Sequence, residues 1–424
     1  MAKNFIYKFG GASVKDSSAI ENLSKILRNR LRNQLVIVVS AMGKTTNSLE
    51  EIIWKKMGNE DFSQNCSILK GFHLKICHEL FPKKHPVFSL LENLFIKLEK
   101  DLERPLTKQT YDEYYDRIVG YGELISSRIV AEYLCLQGQV VVWKDAREVV
   151  QTDSDFRFAK IDWEKTRTHT RAQWLPVLEQ FPILTQGFIG SDPKGRPTTL
   201  GREGSDFTAA ILATSLDASS VTIWKDVPGV LNADPKLFPN TQKFEELAYP
   251  EAAEMTYFGA SVIHPKTIKP LANAGIPLFV KSFLEPDAPG TKIHQDAPAQ
   301  SIPTLVLKKN QVLISFKVTD FTFIEEGHIH QIYEQLKKLK LRVNMLQLSA
   351  ISVSVVIDAQ VFKLEQLLAA LKSTFEIRYN EGLELLTVLH QKPEEIPALL
   401  DGYEVLLEQS TRNTFQAVRR KSTI

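Results

Sequence analysis

Leu35-Val36-Ile37-Val38-Val39 sets the tightest limit on how this chain can fold. Five consecutive branched apolar residues leave no polar face, so the run fits a strand covered on both sides. The theme returns at Phe5 to Phe9, Val140-Val141-Val142-Trp143, Ile183-Leu184-Thr185, Val221-Thr222-Ile223-Trp224 and Pro277 to Val280. Helix-like stretches such as Ile20 to Leu31 lie between them. Alternation of this kind predicts an α/β domain with a mainly parallel sheet. Residues 50–135 read differently: they are helical and rich in Lys and Glu, with Ile125, Ile129 and Tyr133 on one stripe. That stretch predicts a helical excursion on the α/β core.

Pro286, Pro289 and Pro298, with small polar neighbours, punctuate rather than pack, and place a domain boundary near 292–300. The periodicity then restarts on a smaller scale. Strands are expected at Val312 to Val318, Val343 to Leu348 and Ile351 to Ile357, with helices at His328 to Lys340 and Val361 to Phe375. A strand near Glu376 to Arg378 closes this βαββαβ unit. A shorter set follows: Leu383 to Leu389, Glu394 to Leu400, Val405 to Glu408 and Thr414 to Val418. The expectation is two α+β modules, 300–376 and an abbreviated 377–424, after an α/β domain over 1–292.

Composition removes several function classes. The 424 residues carry 52 Lys+Arg against 50 Asp+Glu, a net charge of +2, so no bulk electrostatic grip on nucleic acid or anionic membrane is expected. No apolar run reaches the roughly 18 residues of a membrane helix. MAKNFIYKFG enters a strand pattern directly, without an export or transit signal. Cys66, Cys77 and Cys135 then read as reduced thiols in a cytoplasm. His73, Cys77 and His78 share a helical stretch, but a zinc site takes about four ligands, so packing is the better reading.

Four polar stretches follow buried strands. In Lys8-Phe9-Gly10-Gly11-Ala12-Ser13, glycines let backbone approach a ligand, a helix N-terminus binds anions, and the lysine adds a full charge. Alone, the stretch reads more readily as a tight turn with a surface lysine. Ser40-Ala41-Met42-Gly43-Lys44-Thr45-Thr46-Asn47 imitates a P-loop but has Val38 where the first glycine belongs, so that assignment fails. It suits carboxylate or phosphate binding, or simple helix capping by Thr45 or Thr46. Thr198 to Thr208 packs Gly201, Arg202, Gly204, Ser205 and Asp206 before an apolar helix. Arg202 offers a bidentate fork to a carboxylate, while Asp206 suits a lysine or a metal. Lys225 to Lys236 carries two turn signals, Pro228-Gly229 and Asp234-Pro235, and suits a nucleotide-covering loop or a plain surface loop.

Taken in order, Lys8–Val14, Ser40–Asn47, Gly122-Glu123-Leu124, Gly201–Asp206, Asp226–Val230 and Phe258–Pro265 resemble the aspartokinases of the amino-acid kinase family, which carry C-terminal ACT modules. The resemblance spans nearly the whole chain. It implies a three-layer α/β/α sandwich followed by ferredoxin-like α+β ACT modules. It implies transfer of the ATP γ-phosphoryl to the side-chain carboxylate of L-aspartate, giving 4-phospho-L-aspartate, the first step toward lysine, threonine and methionine. Lys8 and Asp206 are then catalytic, and Gly10 and Gly11 bind the transferred phosphate. Ser40, Thr46, Glu123, Arg202 and Ser205 fall where the family binds aspartate. Lys225, Asp226, Leu231, Lys236 and Ser261 fall where it binds ATP with Mg2+, no protein side chain being expected as a direct metal ligand. Leu231 stands where relatives are often aromatic, Lys236 where arginine is common, and Ser261 where many carry lysine. Gly327 and Asn344 match effector positions, with lysine or threonine as effector, and the ACT modules imply a homodimer or larger homo-oligomer. Rival expectations are another amino-acid kinase and a non-catalytic amino-acid sensor.

Overall fold

Strands β1 (Phe5–Phe9) and β2 (Leu35–Val39) lie parallel with Phe9 opposite Val39, and no residue of β2 is accessible to solvent. The computed structural model describes residues 3–260, 263–319 and 322–422. By contacts the chain forms two units. The first comprises Met1–Val230, Lys243–Ala253 and Val262–Ala299; the second comprises Leu231–Gln242, Glu254–Ser261 and Gln300–Ile424.

In the first unit, β3 (Val142–Trp143), β4 (Ile183–Gln186), β7 (Ser220–Lys225), β8 (Glu246–Ala248), β9 (Leu278–Ser282) and β10 (Thr291–His294) complete one sheet. A hairpin, β5 (Ile189–Ser191) with β6 (Pro197–Thr199), stands apart from it. The sheet order is β3-β4-β2-β1-β7-β9-β10-β8, parallel except where β10 meets β9. Helices α1 (Ser17–Arg28), α2 (Thr45–Met57), α3 (Ser63–Leu80), α4 (Val87–Leu102), α5 (Tyr111–Val119) and α6 (Tyr121–Leu136) follow β1 and β2 in turn. The last five form the helical excursion. Further on come α7 (Trp163–Leu178), α8 (Gly204–Ser215) and α10 (Pro265–Ala274), with α9 (Tyr249–Phe258) beginning in this unit and counted in the second from Glu254 on. Helix α8 packs on β1 and β7, and its Ala209–Ala213 core is wholly buried. With helices covering the apolar faces, the fold is the layered α/β architecture with a mainly parallel sheet.

The sheet edge differs from the sequence expectation, whereas the packing expected for His73 holds. The strand expected over 140–143 is only β3, because it lies at the sheet edge and Val140 is 55% exposed. His73 is fully buried on α3, with Nδ1 against the Leu69 carbonyl at 2.8 Å and Nε2 against the Thr45 hydroxyl at 3.3 Å. Burial pushes its imidazole down to about 4, and both ring nitrogens serve packing.

The second unit holds β11 (Thr304–Val318), α11 (Glu326–Lys338), β12 (Val343–Leu348), β13 (Ser352–Asp358), α12 (Val361–Leu371), β14 (Phe375–Leu389), α13 (Ile396–Leu400), β15 (Tyr403–Ser410) and β16 (Thr414–Lys421). They make one six-stranded antiparallel sheet, β12-β13-β11-β14-β16-β15. The expected division at 376/377 falls inside β14, a continuous 15-residue strand. β11 likewise runs through Lys308-Lys309-Asn310, where Asn310 takes φ 56° and the register with β14 shifts. That bulge hid the first half of β11 from periodicity. Among the described residues no helix is long and apolar enough to cross a membrane.

Candidate active site

β1 is the point where the sheet order reverses, since β2 lies on one side of it and β7 on the other. Ligands in open parallel sheets bind beyond the carboxyl ends of strands at such a reversal. Lys8 pairs in register with Val38 and Ile223, so the chain leaves β1, β2 and β7 at one edge. A cleft of about 580 Å3 opens there.

Lys8 and Asp206 form its buried centre, with Lys8 Nζ 2.5 Å from Asp206 Oδ1. Lys225 Nζ stands 3.6 Å from the other oxygen, Oδ2. Burial works to raise the Asp206 carboxyl, but Lys8 and then Lys225 overcome it and hold it below the usual carboxylate range. Asp206 is the third residue of α8, where the helix dipole also favours a negative charge. The result is a carboxylate fixed between two ammonium groups, ready to hold both toward an anion.

The backbone around this centre lies close. A Cβ on Gly10 would come 3.3 Å from Lys8 Nζ, and one on Gly11 would come 3.0 Å from the Ala41 carbonyl. Gly204 and Gly187 are tighter: added Cβ atoms would meet the Phe188 ring at 2.6 Å and Ser205 Cβ at 2.4 Å. These glycines seat the first turn of α8 directly on the loop after β4.

Opposite Lys8, Glu123 projects from the first turn of α6 and is 3% exposed. Its Oε1 accepts the Ala41 N–H at 3.4 Å, while Oε2 has no partner. Burial pushes this carboxyl up to about 8. A buried carboxylate oxygen left unpaired is costly, and a cationic ligand group would satisfy it.

The cleft brings together Lys8, Gly11, Ser40, Thr46, Glu123, Arg202, Ser205, Asp206 and Lys225. Gly10 adjoins it through Lys8. Asp226 is exposed on the loop after β7 and does not line this cleft. Neither do Leu231 and Lys236, which belong to the 231–242 segment of the second unit. Ser261 lies outside the described residues. In the second unit, Asn344 is tied into a polar network: its amide donates to Gln311 at 2.8 Å and Asp358 at 3.0 Å, and its oxygen accepts from Lys308 at 2.7 Å. It lines a groove with Tyr333 and Arg342, whereas Gly327 is not part of that groove.

Sequence reasoning gave no role to Tyr115, Arg157, Phe158, Phe188, Thr199 or Glu203, all of which line the cleft. Glu203 sat inside the recognised motif. It caps α8 in a left-handed conformation (φ 54°), and its Oε2 is buried without a partner. Burial raises its carboxyl. Arg157 and Phe158 come from a loop without any local signal. Among the described residues no three His, Cys, Asp or Glu side chains converge as a metal site.

A parallel sheet with a cationic, glycine-lined cleft at its reversal defines a phosphate-handling α/β protein. The amino acid kinase family model matches residues 3–282. Lysine-sensitive aspartokinase 3 of Escherichia coli (strain K12) is 32% identical over 400 residues, 92% of this chain and 87% of that one. Aspartokinase 2, chloroplastic, of Arabidopsis thaliana is 31% identical over 377 residues, which is 83% of this chain but 66% of that longer relative. The crystal structure of E. coli aspartokinase III in complex with aspartate and ADP, in the R state, is similar with a TM-score of 0.84 at 28% identity, covering 98% of this chain and 96% of that one. This chain belongs to the amino acid kinase family and, within it, to the aspartokinases.

Proposed function

We propose that this chain is an aspartate kinase, transferring the γ-phosphoryl of ATP to the side-chain carboxylate of L-aspartate to give 4-phospho-L-aspartate. The observation that carries this is a single cleft holding Lys8, Asp206 and Lys225 together with Glu123 and Arg202.

A carboxylate with a pKa near 4 is already ionised at neutral pH, so the acceptor needs no general base. The obstacle is an anion approaching a polyanion. Lys8 and Lys225, both oriented by Asp206, offset that repulsion. Gly10, Gly11 and the N-terminus of α8 bring backbone N–H groups to the transferred phosphoryl. Arg202 clamps the α-carboxylate with its bidentate fork, and Glu123 takes the α-ammonium. Ser40, Thr46 and Ser205 add hydroxyls. That pairing selects an amino acid over a plain dicarboxylate. Asp226, Leu231 and Lys236 keep their nucleotide role on motif position alone, as does Ser261.

The nucleotide would arrive with Mg2+, which would supply charge to offset that of the phosphates. Asp206 is spent on two lysines, so of the cleft carboxylates Glu203, with a buried oxygen to spare, would be the one to face the ion, with no side chain expected to bind it directly. The second unit serves as tandem ACT-like regulation, with Gly327 and Asn344 at effector positions and lysine or threonine as effector. Pairing through it makes a homo-oligomer. The enzyme opens the route to lysine, threonine and methionine.

Hydroxylamine trapping of the acyl phosphate, with aspartate and glutamate in parallel, tests the reading. Hydroxamate from aspartate, dependent on ATP and Mg2+ and reduced by lysine or threonine, is expected. Equal yield from glutamate would overturn the substrate assignment.

A further inference from the structure

We propose that Asp116 is a positioning residue for the amino-acid half of the cleft, tying the cleft-lining Arg157 and Thr199 to helix α5 through one buried carboxylate. This rests on the aspartate-kinase reading.

Asp116 is fully buried on α5. Its Oδ2 accepts two backbone N–H groups from separate segments, Arg157 and Thr199, each at 2.8 Å. Its Oδ1 accepts the Thr199 hydroxyl at 2.7 Å. Three hydrogen bonds to one buried charge form a tie that a neutral side chain does not replace.

Both partners bear on the substrate residues. Arg157 adopts a left-handed backbone (φ 69°), which a non-glycine residue keeps only when its surroundings hold it. Its guanidinium lies 4.5 Å from the Tyr115 ring centroid and 3.3 Å from Asp112, both on α5. Its carbonyl and the Phe158 ring lie against Gly201, where an added Cβ would meet them at 3.1 and 3.3 Å. Thr199 ends β6, three residues before Arg202. Asp116 thus sets both the strand that leads into Arg202 and the loop that leans on Gly201. Its own carbonyl accepts the Gly120 N–H at 3.4 Å, just before α6 delivers Glu123.

Topology places this tie on one side. β5 and β6 follow β4, on the β2 side of β1, whereas Lys225 ends β7 on the other side. Helix α8, packed on β1 and β7, holds Asp206 with Lys8 and Lys225, so disturbing Asp116 acts first on Arg202 and Glu123, which have no such anchor.

Asp116→Asn keeps the shape but turns an N–H donor toward N–H donors. Thr199→Val removes one arm, and Thr199→Ser keeps it. The expected result for Asp116→Asn is an aspartate KM raised about tenfold or more, with kcat and ADP affinity changed less than about twofold. Thr199→Val should show a smaller rise that Thr199→Ser restores. Thermal denaturation checks folding, and if Asp116→Asn does not fold the Thr199 pair decides. Variants that lose stability but keep the aspartate KM, or that weaken ADP and aspartate alike, would overturn the proposal. A wild-type enzyme that phosphorylates no aspartate would sink the parent reading, and the proposal with it.

Discussion

Glu123 and Asp206 show how two carboxyls in one cleft are driven apart. Both are buried, but Asp206 has two ammonium partners and is held low, whereas burial pushes Glu123 up to about 8 against only weak backbone N–H partners and the Lys8 charge. Below that value Glu123 carries a proton in the free enzyme. Taking the aspartate ammonium requires the carboxylate, so binding releases the proton. The aspartate KM should therefore fall as pH rises from 6 to 8, by up to about tenfold per unit. Glu123→Gln should weaken aspartate and flatten that dependence. A wild-type KM flat across this range, measured by steady-state kinetics, would contradict the role given to Glu123. For stability the sign is opposite: a raised carboxyl costs nothing below its unfolded pKa, and the cost grows as pH climbs toward 8.

At the level of elements, α8 and the loop after β4 meet with no room to spare. Gly187 carries that contact, because any Cβ there would overlap Ser205. Gly187→Ala should destabilise the fold by about 1–3 kcal/mol and displace Ser205 from the cleft. Gly71, in the middle of α3 with open space around it, is the control. Gly71→Ala should leave activity alone and add about 0.5–1 kcal/mol. Denaturant titration of both variants checks the pair, and a neutral Gly187→Ala would show that the contact yields. What was legible in the sequence follows the same physics. Lys8, Gly11, Arg202, Ser205 and Asp206 were readable because strand-end and helix-start chemistry is local. Arg157, Thr199 and Asp116 were not, because their roles arise from contacts between segments tens of residues apart. Val140 was misread because an edge strand carries apolar residues without burial. The middle of β14, with Glu376, Tyr379, Asn380 and Glu381 exposed, showed no strand period, so one strand read as two.

For the whole molecule, the near-balanced charge of +2 means that its affinity for anions is local. It resides where Lys8 and Lys225 flank Asp206 at the carboxyl ends of β1 and β7. The central claim is that this centre moves a phosphoryl group onto a carboxylate. Hydroxamate formation from ATP, Mg2+ and L-aspartate, compared between wild type and a Lys8→Ala variant of matched fold by circular dichroism, tests it most directly. The account predicts turnover by the wild type and a loss of at least about a hundredfold in the variant, mainly in kcat. A folded Lys8→Ala variant that still makes aspartyl hydroxamate at the wild-type rate would contradict it.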